Sequence, residues 1–142
     1  MKTSVSKTSK AFWEEVIPHR KEVLLETIDI FKDYLVISER ENGLNKIRIK
    51  RWDNTDDYYL PFNIETYTAY TTTNVDFDTT ILRYSYNALD TPASVIDFDM
   101  VNKTKEIKKE QEVLGGKFKK ENYKTERIWA NAKDGTKIPL AH

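Results

Sequence analysis

Between Phe31 and Leu140, hydrophobic and polar residues alternate with period two in short runs. Lys46-Ile47-Arg48-Ile49-Lys50 and Ser94-Val95-Ile96-Asp97-Phe98 are the clearest. A strand turns successive side chains to opposite faces, so this spacing predicts strands with one face buried and the other polar. Aromatic and β-branched residues crowd two further runs, Tyr67, Tyr70, Thr71, Thr72 and Thr73 in one and Ile81, Tyr84 and Tyr86 in the next, a composition suited to a pleated surface. Turn residues fall between the runs at Asn42-Gly43, Asp90-Thr91-Pro92 and Asp134-Gly135. The predicted fold class is all-β.

Two segments resist that pattern, Arg20–Glu26 and Asn102–Leu114. In the second, Ile107, Gln111 and Leu114 stand at helical spacing ahead of Gly115, a residue that often closes a helix. The segment also follows Asp97-Phe98-Asp99-Met100 across a plausible turn, Val101-Asn102-Lys103-Thr104, which favours an outer strand with solvated lysines and glutamates. The expectation adopted is strand.

The pattern also repeats. Phe31-Lys32-Asp33-Tyr34-Leu35-Val36 is echoed 46 positions later by Phe77-Asp78-Thr79-Thr80-Ile81-Leu82. The same spacing pairs Ile49 with Val95, Trp52 with Phe98 and Asp53 with Asp99. A unit of roughly 40–50 residues with about four short strands has the size of a β-propeller blade. Two such units are too few to close a ring, since each blade buries its faces against its neighbours. The chain is therefore expected to be a piece of a longer one, with exposed blade edges that make it only marginally stable and prone to association.

Composition adds mainly exclusions. Lysine plus arginine equals aspartate plus glutamate, at 23 each, so there is no long-range field to draw in nucleic acid or a basic partner. The absence of cysteine removes thiol nucleophiles and cysteine-bound zinc, and weakly favours a reducing, cytoplasmic setting. No apolar run is long enough to suggest a membrane partner.

Candidate chemistry is sparse. His19 and His142 stand far apart without companions at metal-ligand spacing. None of Ser4, Ser6, Ser9, Ser38, Ser85 and Ser94 has the flanking glycines of a nucleophile elbow. Three acidic groups, Asp97 with Asp99, Asp76 with Asp78, and Asp53 with Asp56 and Asp57, could serve carboxylate catalysis or calcium binding. Aspartate at turns more often bonds the local backbone, and that is the reading adopted. Lysines 103, 105, 108, 109, 117, 119 and 120, near Phe118 and Tyr123, could line a single-stranded nucleic acid, but Glu106, Glu110, Glu112 and Glu121 cancel most of the charge. No catalytic residue, cofactor or metal is expected from this chain.

Six stretches in order resemble the oligopeptidase B branch of the prolyl oligopeptidase family: Trp13–Arg20, Phe31–Val36, Glu39–Leu44, Arg83–Val95, Gln111–Gly116 and Glu126–Ala130. Lys133-Asp134-Gly135-Thr136-Lys137-Ile138-Pro139 is similar to the hairpin by which that family's chain enters its α/β-hydrolase domain. The resemblance implies a partial β-propeller of about two four-stranded blades plus part of a preceding one. Lys2–Lys10 is then an internal strand of that earlier blade. Residues 1–114 would be the C-terminal part of the propeller, and residues 115–142 the connector and first strands of the peptidase domain. It further implies a serine oligopeptidase that cleaves short peptides after arginine or lysine, with a propeller that filters substrates by size and a catalytic triad lying beyond His142. The catalytic domain would be the main partner, with Arg83, Tyr84 and Tyr86 as candidate interdomain contacts. Two rival readings remain, a free-standing β-rich interaction module and a calcium-binding or carboxylate-based β domain.

Overall fold

The computed structural model describes residues 1–116 and 118–142. Two four-stranded antiparallel sheets follow one another along the chain. The first contains β1 (Val23–Ile30), β2 (Tyr34–Glu41), β3 (Leu44–Arg51) and β4 (Asp57–Tyr59), and the second β5 (Thr68–Thr71), β6 (Ile81–Ala88), β7 (Thr91–Asp99) and β8 (Thr104–Glu110). In each sheet the spatial order is the sequence order, the meander of a propeller blade. A separate two-stranded sheet pairs β9 (Arg127–Asn131) with β10 (Lys137–Ala141).

The undecided segments resolve as strands. Arg20–Glu26 is a turn running into β1, and the charged stretch after Val101 is β8, every residue of which is exposed. Helical propensity in β8 loses to the backbone bonding that β7 offers along its edge. Lys2–Lys10 is not a strand. It makes one isolated bridge, Lys2 with Glu14, and then turns. Thr3 Oγ1 donates to the Lys7 carbonyl and the Ser4 and Ser6 hydroxyls bond each other, so the side chains compete with strand pairing.

The core lies between the two sheets. Tyr34 and Val36 of β2 and Ile47 and Ile49 of β3 face Ala69, Leu82, Tyr84, Ile96 and Phe98 of the second sheet, with Phe31, Leu60 and Met100 closing the ends. The two blades also touch at corresponding corners. Lys32 N–H donates to the Phe77 carbonyl and Lys32 pairs with Asp78, while Tyr58 Oη donates to the Met100 carbonyl and Lys103 pairs with Asp56.

The constant spacing of 46 does not survive into β7. Cross-strand pairing sets Ile49 opposite Val36 and Ile96 opposite Tyr84, all four buried, whereas Val95 lies on the other face. The residue opposite Tyr84 is thus Ile96 and not Val95, and Phe98, unlike Trp52, is inside a strand. A register shift between Tyr86 and Ala88 puts an extra residue into β7 just after Pro92, a position where the missing proline N–H costs no ladder bond.

The face of the first sheet that points away from the second is graded. Leu25, Ile28 and Ile30 of β1 are about half exposed and sit opposite Glu39, Ile37 and Leu35 of β2, all buried. Glu39 takes a hydrogen bond from Tyr59 Oη at 2.7 Å and pairs with Arg20, which holds the end of the segment before β1 on this face. Arg48 stands 3.8 Å from the same carboxylate and makes a bidentate pair with Asp57.

Candidate interdomain seam

The hairpin between β2 and β3 turns at Asn42 (φ 51°) and Gly43 (φ 78°), two positive values that match the twist of the flanking strands. The hairpin between β6 and β7 and the crossing from β4 to β5 reach the same end of the blades. Leu44, Thr66, Tyr67, Asn87 and Leu89 there line one cavity with Arg127 and Leu140 of the β9–β10 hairpin.

That hairpin is in regular register from Arg127 opposite Ala141 to Asn131 opposite Lys137, and Glu126 and His142 extend it by two backbone bonds. Its turn is the expected one. Gly135 has φ 85°, and Asp134 accepts the Thr136 N–H. An isolated two-stranded ribbon is marginal in water, so its anchoring matters. Arg127 supplies most of it. Its guanidinium donates to the Asn42 carbonyl, its backbone N–H donates to Glu65 at 3.2 Å, and it lies over the Trp129 ring at 4.7 Å.

Pro139 completes the contact, because a Cβ on Gly43 would meet Pro139 Cγ at 3.5 Å and Arg127 Nη2 at 3.6 Å, both ordinary contacts. Space is therefore available at Gly43, and conformation is the constraint. Gly43→Ala is expected to cost about 1–2 kcal/mol, through the positive φ alone. Denaturant unfolding would check this, with a Gly116→Ala control close to neutral, since nothing lies within 4 Å of a Cβ there and its φ is not positive.

The three contact residues named from sequence do not share a face. Tyr84 is buried in the core. Tyr86 packs beside it in an aromatic cluster with Phe62 and Tyr67, with ring centroids 4.4 Å apart for Phe62 and Tyr67, 5.5 Å for Phe62 and Tyr86, and 6.0 Å for Tyr67 and Tyr86. Burial, with a smaller push from Tyr86, raises the Tyr67 and Tyr84 phenols to about 12. Arg83 points the other way and makes a bidentate pair with Asp97 at 2.7 and 2.8 Å. Strand alternation accounts for the split.

The aspartates all have work within the fold. Asp97 holds Arg83, Asp78 holds Lys32, Asp56 holds Lys103 and Asp57 holds Arg48 and Lys50. Asp99 accepts the N–H groups of Val101 and Asn102, Asp53 accepts from Thr55, and Asp76 accepts the N–H of Asp78. Phe118 and Tyr123 stack on each other, and Lys117 of the basic stretch lies outside the described residues.

Hydrogen bonds from Arg48 hold Asp57, and hydrogen bonds from Arg83 hold Asp97, below the ordinary carboxylate value of 3.8. A depressed folded-state value contributes stability above the unfolded value and loses it as pH falls. The unfolding midpoint is thus expected to hold down to about pH 5 and to drop progressively from there through 3.8 and below. Thermal melts across that range would show it, and an unchanged midpoint at pH 3 would contradict it.

Arg127, Glu65 and Thr66, the residues that build the seam, carried no local signal. Arg127 stood out only within a family-like stretch, and Glu65 meets it across 62 positions of chain.

Comparison with known proteins places this geometry. Residues 1–111 match the model of the prolyl oligopeptidase N-terminal β-propeller domain, ending one residue after β8. Dipeptidyl aminopeptidase BI of Pseudoxanthomonas mexicana is 34% identical over 134 residues, covering 94% of this chain and 18% of that protein. Protease 2 of Moraxella lacunata is 24% identical over 88% of this chain and 18% of its own length. Among solved structures, oligopeptidase B of Trypanosoma brucei, with covalently bound antipain, superposes with a TM-score of 0.76 at 30% identity. It covers 88% of this chain and 19% of its own. Oligopeptidase B of Leishmania major gives a TM-score of 0.78 at 29% identity, over 89% of this chain and 19% of its own. The chain thus spans about a fifth of the length of the relatives it matches. With two blade-like sheets in the expected meander and the propeller-domain match running through both, the chain belongs to the prolyl oligopeptidase family.

Proposed function

We propose that the chain supplies the last blades of the propeller of a serine oligopeptidase, together with the hairpin that leads into its α/β-hydrolase domain. Residues 1–114 act as part of a lid that admits short peptides, and residues 115–142 form the connector and doorway. No triad residue is assigned to this chain. The observation that carries this reading is the seating of β9–β10 on the blade ends through Arg127, just beyond the point where the propeller-domain match stops. Such a hairpin ties a following domain to the mouth of a propeller. Arg83, paired with Asp97 and half exposed on the far face of the second sheet, is the contact assigned to that domain, while Tyr84 and Tyr86 act through the aromatic cluster behind the seam.

The substrate reading is cleavage after arginine or lysine, supported by the likeness to the two oligopeptidase B structures. A second reading, removal of dipeptides from free amino termini, is favoured by the 34% identity to a dipeptidyl aminopeptidase. A reporter on blocked arginyl and lysyl peptides, run beside one on a dipeptide with a free amino terminus, separates the two. The 142-residue chain is expected to release neither product. The same chain extended through its downstream reading frame is expected to cleave the blocked basic peptide. Turnover by the short chain, or a downstream frame without a Gly-x-Ser-x-Gly elbow, would overturn the proposal.

A further inference from the structure

Strand β1 stands at the end of its sheet and pairs only with β2. Among the described residues, no backbone bond reaches residues 24–30 from any other direction. The side of β1 away from β2 is therefore an open row of donors and acceptors. The Phe31 N–H donates to the Tyr34 carbonyl and closes the β1–β2 hairpin. Ladder alternation then gives Asp29 its bonds to β2 and points the N–H and C=O of Ile28 and Ile30 to the open side. The other long edge, β8, is guarded by Lys105, Lys108 and Lys109, the usual device against strand addition. β1 has no such guard. Val23–Ile30 contains no lysine or arginine, and Leu24, Leu25, Ile28 and Ile30 are each about half exposed.

Charge selects the occupant of this edge. Asp29 is partly buried and makes no ion pair among the described residues. A second copy of β1 would bring it no cation, and antiparallel pairing centred on Asp29 would set two aspartates opposite each other, which is unfavourable. An arginine or lysine on an incoming strand supplies the missing charge. Opposite Asp29 it would stand in a non-hydrogen-bonded pair, the kind in which side chains come closest. We infer that β1 takes an extended basic peptide as an added strand. Apolar residues of the peptide exchange backbone bonds with Ile28 and Ile30 and pack on their side chains, and a basic residue between them pairs with Asp29. Main-chain bonds give such a complex its affinity, and the cross-strand side chains give its preference. The inference goes beyond the lid role and rests on the edge of β1 alone.

The test titrates a short peptide, blocked at both ends and carrying arginine between two valines, into the isotopically labelled 142-residue chain and follows backbone amides. Saturable shifts are expected at Ile28 and Ile30, with slowed hydrogen exchange at both. Methylating the two valine nitrogens removes the peptide's donors and should abolish the shifts. Glutamate in place of the arginine should weaken binding at least about threefold, since a cross-strand pair of opposite charges becomes one of like charges. Asp29→Asn keeps the side-chain shape, so it should melt as wild type does while losing most of the preference for arginine over glutamate. The inference is overturned if wild type shows no saturable shift, if the methylated or the glutamate peptide binds as well as the first, or if Asp29→Asn keeps the full preference. It is also overturned if the Ile28 and Ile30 amides move with protein concentration in the absence of peptide, which would give the edge to a second copy. None of these results depends on peptidase activity in a longer chain.

Discussion

Arg20→Ala is expected to lower the unfolding free energy by about 3 kcal/mol, at the low end of the range for breaking a buried ion pair by removing one partner. The Glu39 side chain is 0% exposed, whereas that of Arg20 is 33% exposed. Loss of Arg20 leaves a buried carboxylate without its nearest cation, with Tyr59 Oη and the more distant Arg48 beside it. Loss of Glu39 leaves an arginine that can turn to water. The asymmetry makes Arg20→Ala the costlier single change, and Glu39→Gln, which keeps an acceptor for Tyr59, the milder one. Arg20→Met combined with Glu39→Leu removes both charges and should recover much of the loss. Urea unfolding of the variants decides the matter. An Arg20→Ala protein within about 0.5 kcal/mol of wild type, the range of ordinary surface changes, would show that the pair contributes nothing net.

Leu82→Ala is the second large effect, at about 2–5 kcal/mol. Leu82 is 0% exposed in the core between the two blades, flanked by Phe98 across the strand and by the β2 and β3 side chains of the facing sheet. Truncation removes apolar burial and opens a cavity that two sheets held by their own ladders cannot collapse to fill. In a repeat architecture each unit is stabilised by its neighbour, and the core that Leu82 belongs to joins the two four-stranded sheets. The expected outcome is a chain largely unfolded at 37 °C by circular dichroism. Ile107→Ala, at a side chain 55% exposed on β8, serves as the control and should stay within about 0.5 kcal/mol of wild type.

These sites differ in how far they could be read from sequence. Leu82 belongs to a run that alternation marks as half-buried, and its burial follows from that pattern alone. Arg20 sits in a segment with no strand or helix signature, and nothing nearby announces a carboxylate 19 positions away. β8 shows the limit from the other side. Its lysines and glutamates favour a helix in isolation, but a free edge on β7 makes strand pairing the better use of its backbone groups. Tyr84 and Tyr86 were legible as strand residues, but not as members of an aromatic cluster, because Phe62 and Tyr67 reach them from the crossing between blades.

Legible in the order of residues alone were the strands β2, β3, β5, β6 and β7, the two tight turns at Asn42-Gly43 and Asp134-Gly135, the two-unit repeat and the family likeness. Each of these is written in neighbouring residues, through side-chain alternation and local turn chemistry. The register within the second blade came from packing and pairing, where one extra residue in β7 moved Ile96 rather than Val95 into the core. The tertiary fold alone brought Glu39 under Arg20, and Thr66 and Arg127 to one cavity. Those contacts join groups far apart along the chain. Their energies depend on burial and on which charges and donors converge, which the linear order of residues does not contain.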